Sequence, residues 1–365
     1  MLRALSVLMF FIPAALSMII HMLLRHGEVK DKRKPVLFVI YMVVNNLLTY
    51  LASFVRGVKH IDINNMTATY IFKYLGFSCV IGFIVPFFVC LLTEDIITIR
   101  GFKRYTIRFI KDMKRYLPYA ITSAKSDLSA EVASSYLNWM WWLIEPVCMM
   151  IIYTLIFGIV FRASEDNFSL FVFIGLTMWG FFSRNLQGSV DIVRANRDIV
   201  TKIYMPKYIL LLARMFVNAF KMMVSFGLAA VMLIIYRIPV NLNALWAIPV
   251  MIVFFLLTFG MSSIMMHYGV YVSDLGYIVG ILLQMAMYLS GVFYSIVNQV
   301  PEPFGMALEL FNPVAFLMDS FRNAIMYGKP PIIGGLVAWT MVSIIMIAIG
   351  VFTVYSNENS YVKVI

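Results

Sequence analysis

The chain has 365 residues, of which 62% are hydrophobic and only 13% charged, and it carries a net charge of +11. Those proportions exclude an ordinary soluble domain and place the protein in a bilayer. Membrane topology and anionic headgroups account for the excess of Lys and Arg, so nucleic acid is not implied as a partner.

Apolar runs of about 20 residues, enough to cross the hydrocarbon core, occur near 3–24, 35–55, 71–93, 135–161, 168–190, 208–236, 246–271, 276–297 and 331–355. They predict an all-α polytopic membrane protein, because the alternating pattern of a β-barrel is absent and a helical bundle satisfies the backbone in lipid. The first run is longer than a signal-peptide core and no small-x-small cleavage site follows it, so it is read as a helix. Residues 1–93 thus form a three-helix membrane unit of unknown role. Basic residues fill the first loop (Arg25, Lys30, Lys32, Arg33, Lys34) and follow the third run (Arg100, Lys103, Arg104, Arg108, Lys111, Lys114, Arg115). Both stretches are expected to be cytoplasmic, with the N-terminus outside and the C-terminus inside. Cys79, Cys90 and Cys148 lie within apolar runs as small hydrophobes, and the four histidines are scattered singly. Neither a disulfide framework nor a metal centre is expected.

Residues 94–134 mix charge with aromatic side chains. Lys114, Arg115, Tyr116 and Tyr119 read as part of an amphipathic helix lying in the membrane interface. The next span opens with three tryptophans, Trp139, Trp141 and Trp142, an aromatic belt, and then carries Glu145 and Pro146. A carboxylate inside a span is costly and raises a functional hypothesis. Two helices on, Arg214 and Lys221 share nearly one face. Counted from the cytoplasmic ends, Arg214 lies about 10 Å deep, Glu145 about 15 Å and Lys221 about 21 Å. Pairing of Glu145 with Arg214 or Lys221 is therefore expected, since an unpaired ion at that depth is expensive.

Between these spans, residues 184–214 form a long basic island with apolar residues set between its charges. Arg194, Asn196, Arg197, Asp198 and Lys202 precede Tyr204 and Met205, and Pro206 marks the first turn of the following helix. The pattern reads as a cytoplasmic docking element. Ser273-Asp274-Leu275-Gly276 forms a tight turn on the same side, and Gly276 and Gly280 permit close helix approach. After Ser295 the chain is irregular and external. The segment 298–330, with Pro301, Glu302, Asn312, Pro313, Asp319 and Arg322, is too apolar for free solvation and is expected to dip back toward the membrane as short helices.

Five pieces in this order resemble a known pattern: the amphipathic helix, S-Y-L-x-W-x-W-W-x-x-E-P from Ser135, I-V-x-K-I-Y-x-P-K from Ile199, V-S-D-L-G from Val272, and N-P-x-x-F-L-x-x-x-x-R-N from Asn312. The chain resembles the permease subunits of type-2 ATP-binding-cassette exporters, in the branch that exports O-antigen, capsule and teichoic-acid glycans. The likeness spans roughly residues 111–355, with Asn138 at an expected glycine and Leu289-Ser290-Gly291 in place of a common proline.

The resemblance implies a six-helix permease core over 135–365, preceded by the interface helix of 94–134 and the three extra N-terminal helices. It also implies a homodimer coupled to a separate ATPase, which would hold ATP and Mg. No phosphate-loop motif occurs in this chain, and no cofactor of its own is expected. Arg194, Asn196, Arg197, Asp198, Lys202, Tyr204, Pro206 and Asp274 would then couple to the ATPase, together with the interface helix. Pro301, Glu302, Asn312, Pro313 and Arg322 would form the outer gate. A lipid-linked glycan would set its diphosphate against Arg214 and Lys221 and its sugar faces against Trp179, Phe182 and Tyr288. The competing readings are an exporter of hydrophobic small molecules on the same scaffold, a membrane-embedded transferase acting on polyprenyl lipid, and an ion-coupled carrier. The transferase would need an acid, base or metal cluster at one depth, and the carrier would show repeats or several membrane carboxylates.

Overall fold

The computed structural model describes residues 12–19, 38, 41–45, 99–133, 136, 138–161, 165–202, 204–239, 241–300, 305, 308 and 312–364. The chain divides into one unit of residues 1–104 and 300–311 and a second of 105–299 and 312–365. In the first, the helical residues 12–19 and 41–45 meet around buried Ala14 and Tyr41. The Asn45 amide donates to Ser17 Oγ at 2.8 Å and to the Pro13 carbonyl at 3.3 Å. The remainder of the predicted three-helix unit lies outside the described residues, as do Pro301 and Glu302.

Among the described residues every regular element is helical. Helix α1 runs from Ile99 to Ala133, about 52 Å at 1.5 Å per residue, and belongs to the second unit from Tyr105 on. Buried Ala120 and Ala124, with half-buried Phe109, Met113, Tyr116 and Leu117, recur at three- and four-residue spacing and turn one stripe toward the core. Lys114, Arg115 and Tyr119 lie on its exposed surface, and the Arg115 guanidinium sits 5.4 Å from the Tyr116 ring. The amphipathic character read from the sequence is therefore present in the helix.

A short 3₁₀ turn, Asn138–Met140, leads into α2, Trp141–Tyr153, which continues as a π-helical stretch, Thr154–Val160. No residue of either piece is buried. The opposite holds for α3, Phe168–Val190, most of whose residues are buried and which touches α2 and five later helices. Two short helices follow, α4 (Ile192–Ala195) and α5 (Arg197–Lys202), then α6 (Tyr208–Ile235). Pro206 precedes this helix by two residues, so it ends the connection and stands outside the predicted first turn.

A 3₁₀ turn, Leu242–Trp246, enters α7, Ala247–Tyr271; α8 is Leu275–Leu289, α9 Ile296–Gln299, α10 Pro313–Ile325 and α11 Ile333–Val364. Trp141–Val160, Tyr208–Ile235, Leu242–Tyr271 and Ile333–Glu358 are long and apolar enough to cross a bilayer, and α8 is a shorter apolar helix. The most extensive packing joins α7 to α11. It is close because Gly260 abuts Met346 and Gly350 abuts Ser263, small residues that let the backbones approach. One end of the bundle carries α4, α5, the α7–α8 turn and the last turns of α11. The other carries α10 and the π-helical stretch.

Candidate functional site: a basic cavity beside the α4–α5 face

The face formed by α4 and α5 is built from short helical turns separated by breaks at Asp191 and Asn196. Asn196 folds its amide back onto the Ile192 carbonyl at 2.8 Å, while Arg194 reaches across to donate to the Val270 carbonyl at the end of α7, 2.9 Å away. Both are half-buried and structural in their contacts. Arg197, Asp198 and Lys202 are exposed, and so is Asp274 in the α7–α8 turn. Met205, Pro206, Lys207 and Tyr208 are buried where the connection enters α6. Burial pushes the Lys207 pKa below the ordinary lysine value, against the opposing pull of Glu358.

Tyr204 is 59% exposed, yet its hydroxyl lies 3.2 and 3.3 Å from the two carboxylate oxygens of Glu358 and touches the Arg108 guanidinium. Arg108 itself donates to Glu358 Oε1 at 2.7 Å. Burial alone would lower the Arg108 pKa, but the hydrogen bond and charge of Glu358 outweigh it and hold the guanidinium above its ordinary value. Below this pair, the Tyr355 hydroxyl donates to Asp112 at 2.9 Å and shares a 2.9 Å hydrogen bond with Tyr208. Glu358, Asp112, Tyr355 and Tyr208 are absent from the sequence-derived site. Their available signal was a lone acid, Glu358, set between Tyr355 and Tyr361 at the end of the last apolar run.

Beside this face opens a cavity of about 1100 Å³. Its walls are α1 (Asp127, Glu131), α3 (Trp179, Arg184, Gln187), α6 (Arg214, Asn218, Lys221) and α8 (Leu283, Gln284). Asn218 donates to Asn185 Oδ1 at 2.7 Å, and Gln187 donates to the Gly276 carbonyl at 2.8 Å, so the polar wall is internally bonded. Three cations face the space. Lys221 Nζ is 2.5 Å from Glu131, and Arg184 is 3.7 Å from Glu145. Arg214 is exposed and makes no ion pair among the described residues.

The expected partners of Glu145 are thereby corrected. Arg214 and Lys221 do lie together in one cavity, but Glu145 pairs with Arg184, because α2 packs on α3 and α1 supplies the acid that meets Lys221. Among the aromatics, only Trp179 lines the cavity. Phe182 is buried against Trp179 and Phe254, and Tyr288 is half-exposed near Phe293.

At the opposite end, Asn312 caps α10: its carbonyl oxygen accepts from Val314 and Ala315 at 3.1 and 3.2 Å, with Pro313 in the first helical position. The Asn312 amide also donates to Ser290 Oγ at 2.8 Å. Arg322 is 2% exposed and donates to the carbonyls of Gly291, Phe171 and Val292 at 2.8, 2.9 and 2.9 Å, with its guanidinium stacked 3.5 Å over the Phe171 ring. These residues tie α10 to α3 and to the exit of α8.

Residues 120–326 match the family described as ABC-2 type transporter. The O-antigen export system permease protein RfbA of Myxococcus xanthus is 25% identical over 241 residues, 66% of this chain and 93% of that protein. A protein of the same name from Klebsiella pneumoniae is 24% identical over 226 residues, 62% of this chain and 84% of its own length.

Proposed function

The chain belongs to the ABC-2 type transporter family, and on that premise we propose that it is the membrane half of an exporter that moves a lipid-linked polysaccharide outward across the bacterial cytoplasmic membrane. As a multi-pass transport subunit of this family it works with an ATP-binding-cassette partner, which would hold the ATP and Mg. The substrate reading draws on the O-antigen permeases it is similar to and on the basic cavity. The observation that carries it is the placement of Arg214, Arg184 and Lys221 around one open space beside a docking face. A diphosphate headgroup meets guanidinium and ammonium groups there, with Trp179 further in to take an adjoining sugar face.

In this reading α2, α3, α6, α7, α8 and α11 form the six-helix core, α1 is the interface helix, and residues 1–93 add three further helices. The N-terminus is outside, and α4, α5 and the end of α11 are cytoplasmic. A second copy closes the open side of the cavity. Arg197, Asp198 and Lys202 meet the ATPase, with Tyr204, Asn196, Arg194, Pro206 and Asp274 holding the shape of that surface. The segment leading to Asn312, Pro313 and Arg322, including Pro301 and Glu302, forms the outer gate.

The test is purification in mild detergent from the native host, with the double variant Arg197→Glu, Lys202→Glu alongside. An ATPase subunit should accompany the native chain and be lost from the variant, and cells lacking the chain should accumulate lipid-linked glycan inside. A chain that purifies alone overturns the proposed docking face, and cells with no trapped glycan overturn the substrate.

A further inference from the structure

The residues expected to couple to the ATPase lie in α1, in the stretch from α4 to the start of α6, and at Asp274 in the α7–α8 turn. Side chains of the last turns of α11 join the first two of these. Glu358 lies at the end of the apolar run of α11 with its side chain 13% exposed. Its carboxylate takes Arg108 from α1 and Tyr204 from the connection after α5. One turn earlier, Tyr355 binds Asp112 of α1 and Tyr208 at the start of α6, and the Arg108 guanidinium stacks 4.3 Å over the Tyr355 ring. One turn later, the fully buried Tyr361 places its hydroxyl 2.7 Å from His267 Nδ1 of α7. Phe109 and Tyr208 pack with ring centroids 5.2 Å apart beneath the cluster.

We propose that Glu358 is a positioning residue for transport: with Arg108, Tyr204 and Tyr355 it clamps α1 to the α5–α6 connection, so that a push on either moves the core as one body. The inference rests on the reading that these two elements meet the ATPase. Its physical content is rigidity. A part-buried charge pair with two further hydrogen bonds resists separation, whereas two surfaces joined only by apolar contact can slide. Without the clamp, closure of the motor would shift α1 and the connection independently, and ATP would be hydrolysed without delivering the motion.

The experiment uses Glu358→Arg, Arg108→Glu and their double charge swap in the complete complex. It reads ATPase co-purification, ATP hydrolysis, and periodate–hydrazide labelling of surface glycan on intact native cells. Each single variant should keep its ATPase and hydrolyse ATP at the wild-type rate while surface glycan falls about fivefold or more, the lower range of typical coupling energies. The charge swap should recover most of that loss. Tyr355→Phe, which removes one hydroxyl beside Asp112, should lower surface glycan in the same direction without threatening the fold. Unchanged glycan in both Glu358→Arg and Tyr355→Phe overturns the clamp, as does a swap no better than the single variants. Loss of the ATPase from either single variant also overturns it, since these residues would then belong to the docking surface itself. A wild-type chain with no ATPase defeats the docking reading first and is recognised because every variant matches it.

Discussion

Arg322 shows how a single side chain can fasten an irregular segment. Three carbonyls receive its protons, and replacement by Met would leave those of Gly291 and Val292, which lie outside any helix, without that donor, at about 1–3 kcal/mol for each group left unsatisfied. Arg322→Met is expected to lower the melting temperature in detergent sharply, and Arg322→Lys to fall between, because a point charge cannot span three acceptors. Equal melting temperatures for all three proteins would show that α10 is held by packing alone. Arg214, with no ion pair among the described residues, carries the opposite expectation. Arg214→Gln should leave thermal stability unchanged yet reduce export about tenfold or more, the value of a hydrogen bond to a charged group. Glycan on intact cells checks it, and undiminished export would remove Arg214 from the substrate path. At this scale the sequence reading was uneven. Depth along a helix placed Glu145, Arg214 and Lys221 in one layer correctly enough to bring the last two together. It could not supply the rotation of each helix about its axis, and rotation decided that Glu145 meets Arg184.

Elements were more legible than partners, since apolar length and capping residues are local properties. The Asn312-Pro313 pair marks the start of α10, and the aromatic-basic periodicity of 94–134 gives α1 its amphipathic stripe. The end of α11 was missed. Hydropathy fades near Tyr355, yet the helix continues to Val364, where Glu358 and Tyr361 find partners that no local pattern could announce. The packing of α7 on α11 yields a further prediction. A side chain at Gly350 would begin 2.1 Å from Ser263 Oγ, and one at Gly260 would begin 2.8 Å from Met346 Cβ. Gly350→Val or Gly260→Val should therefore spread the two helices and cost about 1–3 kcal/mol of overpacking strain. A lower melting temperature checks this, and an additional Ser263→Ala should relieve part of it for Gly350→Val only.

On the scale of the whole molecule, the cavity is partly open, and α8 leaves Ile281, Leu282 and Met285 exposed beside it. If a second copy closes the opening, Gln284→Cys in an otherwise cysteine-free chain should cross-link into a dimer in native membranes. A monomer band under oxidising conditions would leave the opening to lipid. The pairing of copies, like the seating of the ATPase, is invisible in one chain's periodicity, because a lipid-facing residue and an interface residue are apolar for different reasons and look alike. One feature of α2 bears on how such an assembly could move. Its π-helical stretch, Thr154–Val160, holds a surplus residue relative to regular α-helix, as a crystal row holds a dislocation. A dislocation migrates without breaking the lattice. Sliding this one by a turn would rotate the residues it passes by about 100° while the count of backbone hydrogen bonds stays nearly constant. A helix with such a stretch can turn in a screw-like way, its half beyond Val160 re-aimed while its tryptophan-bearing end stays where it is.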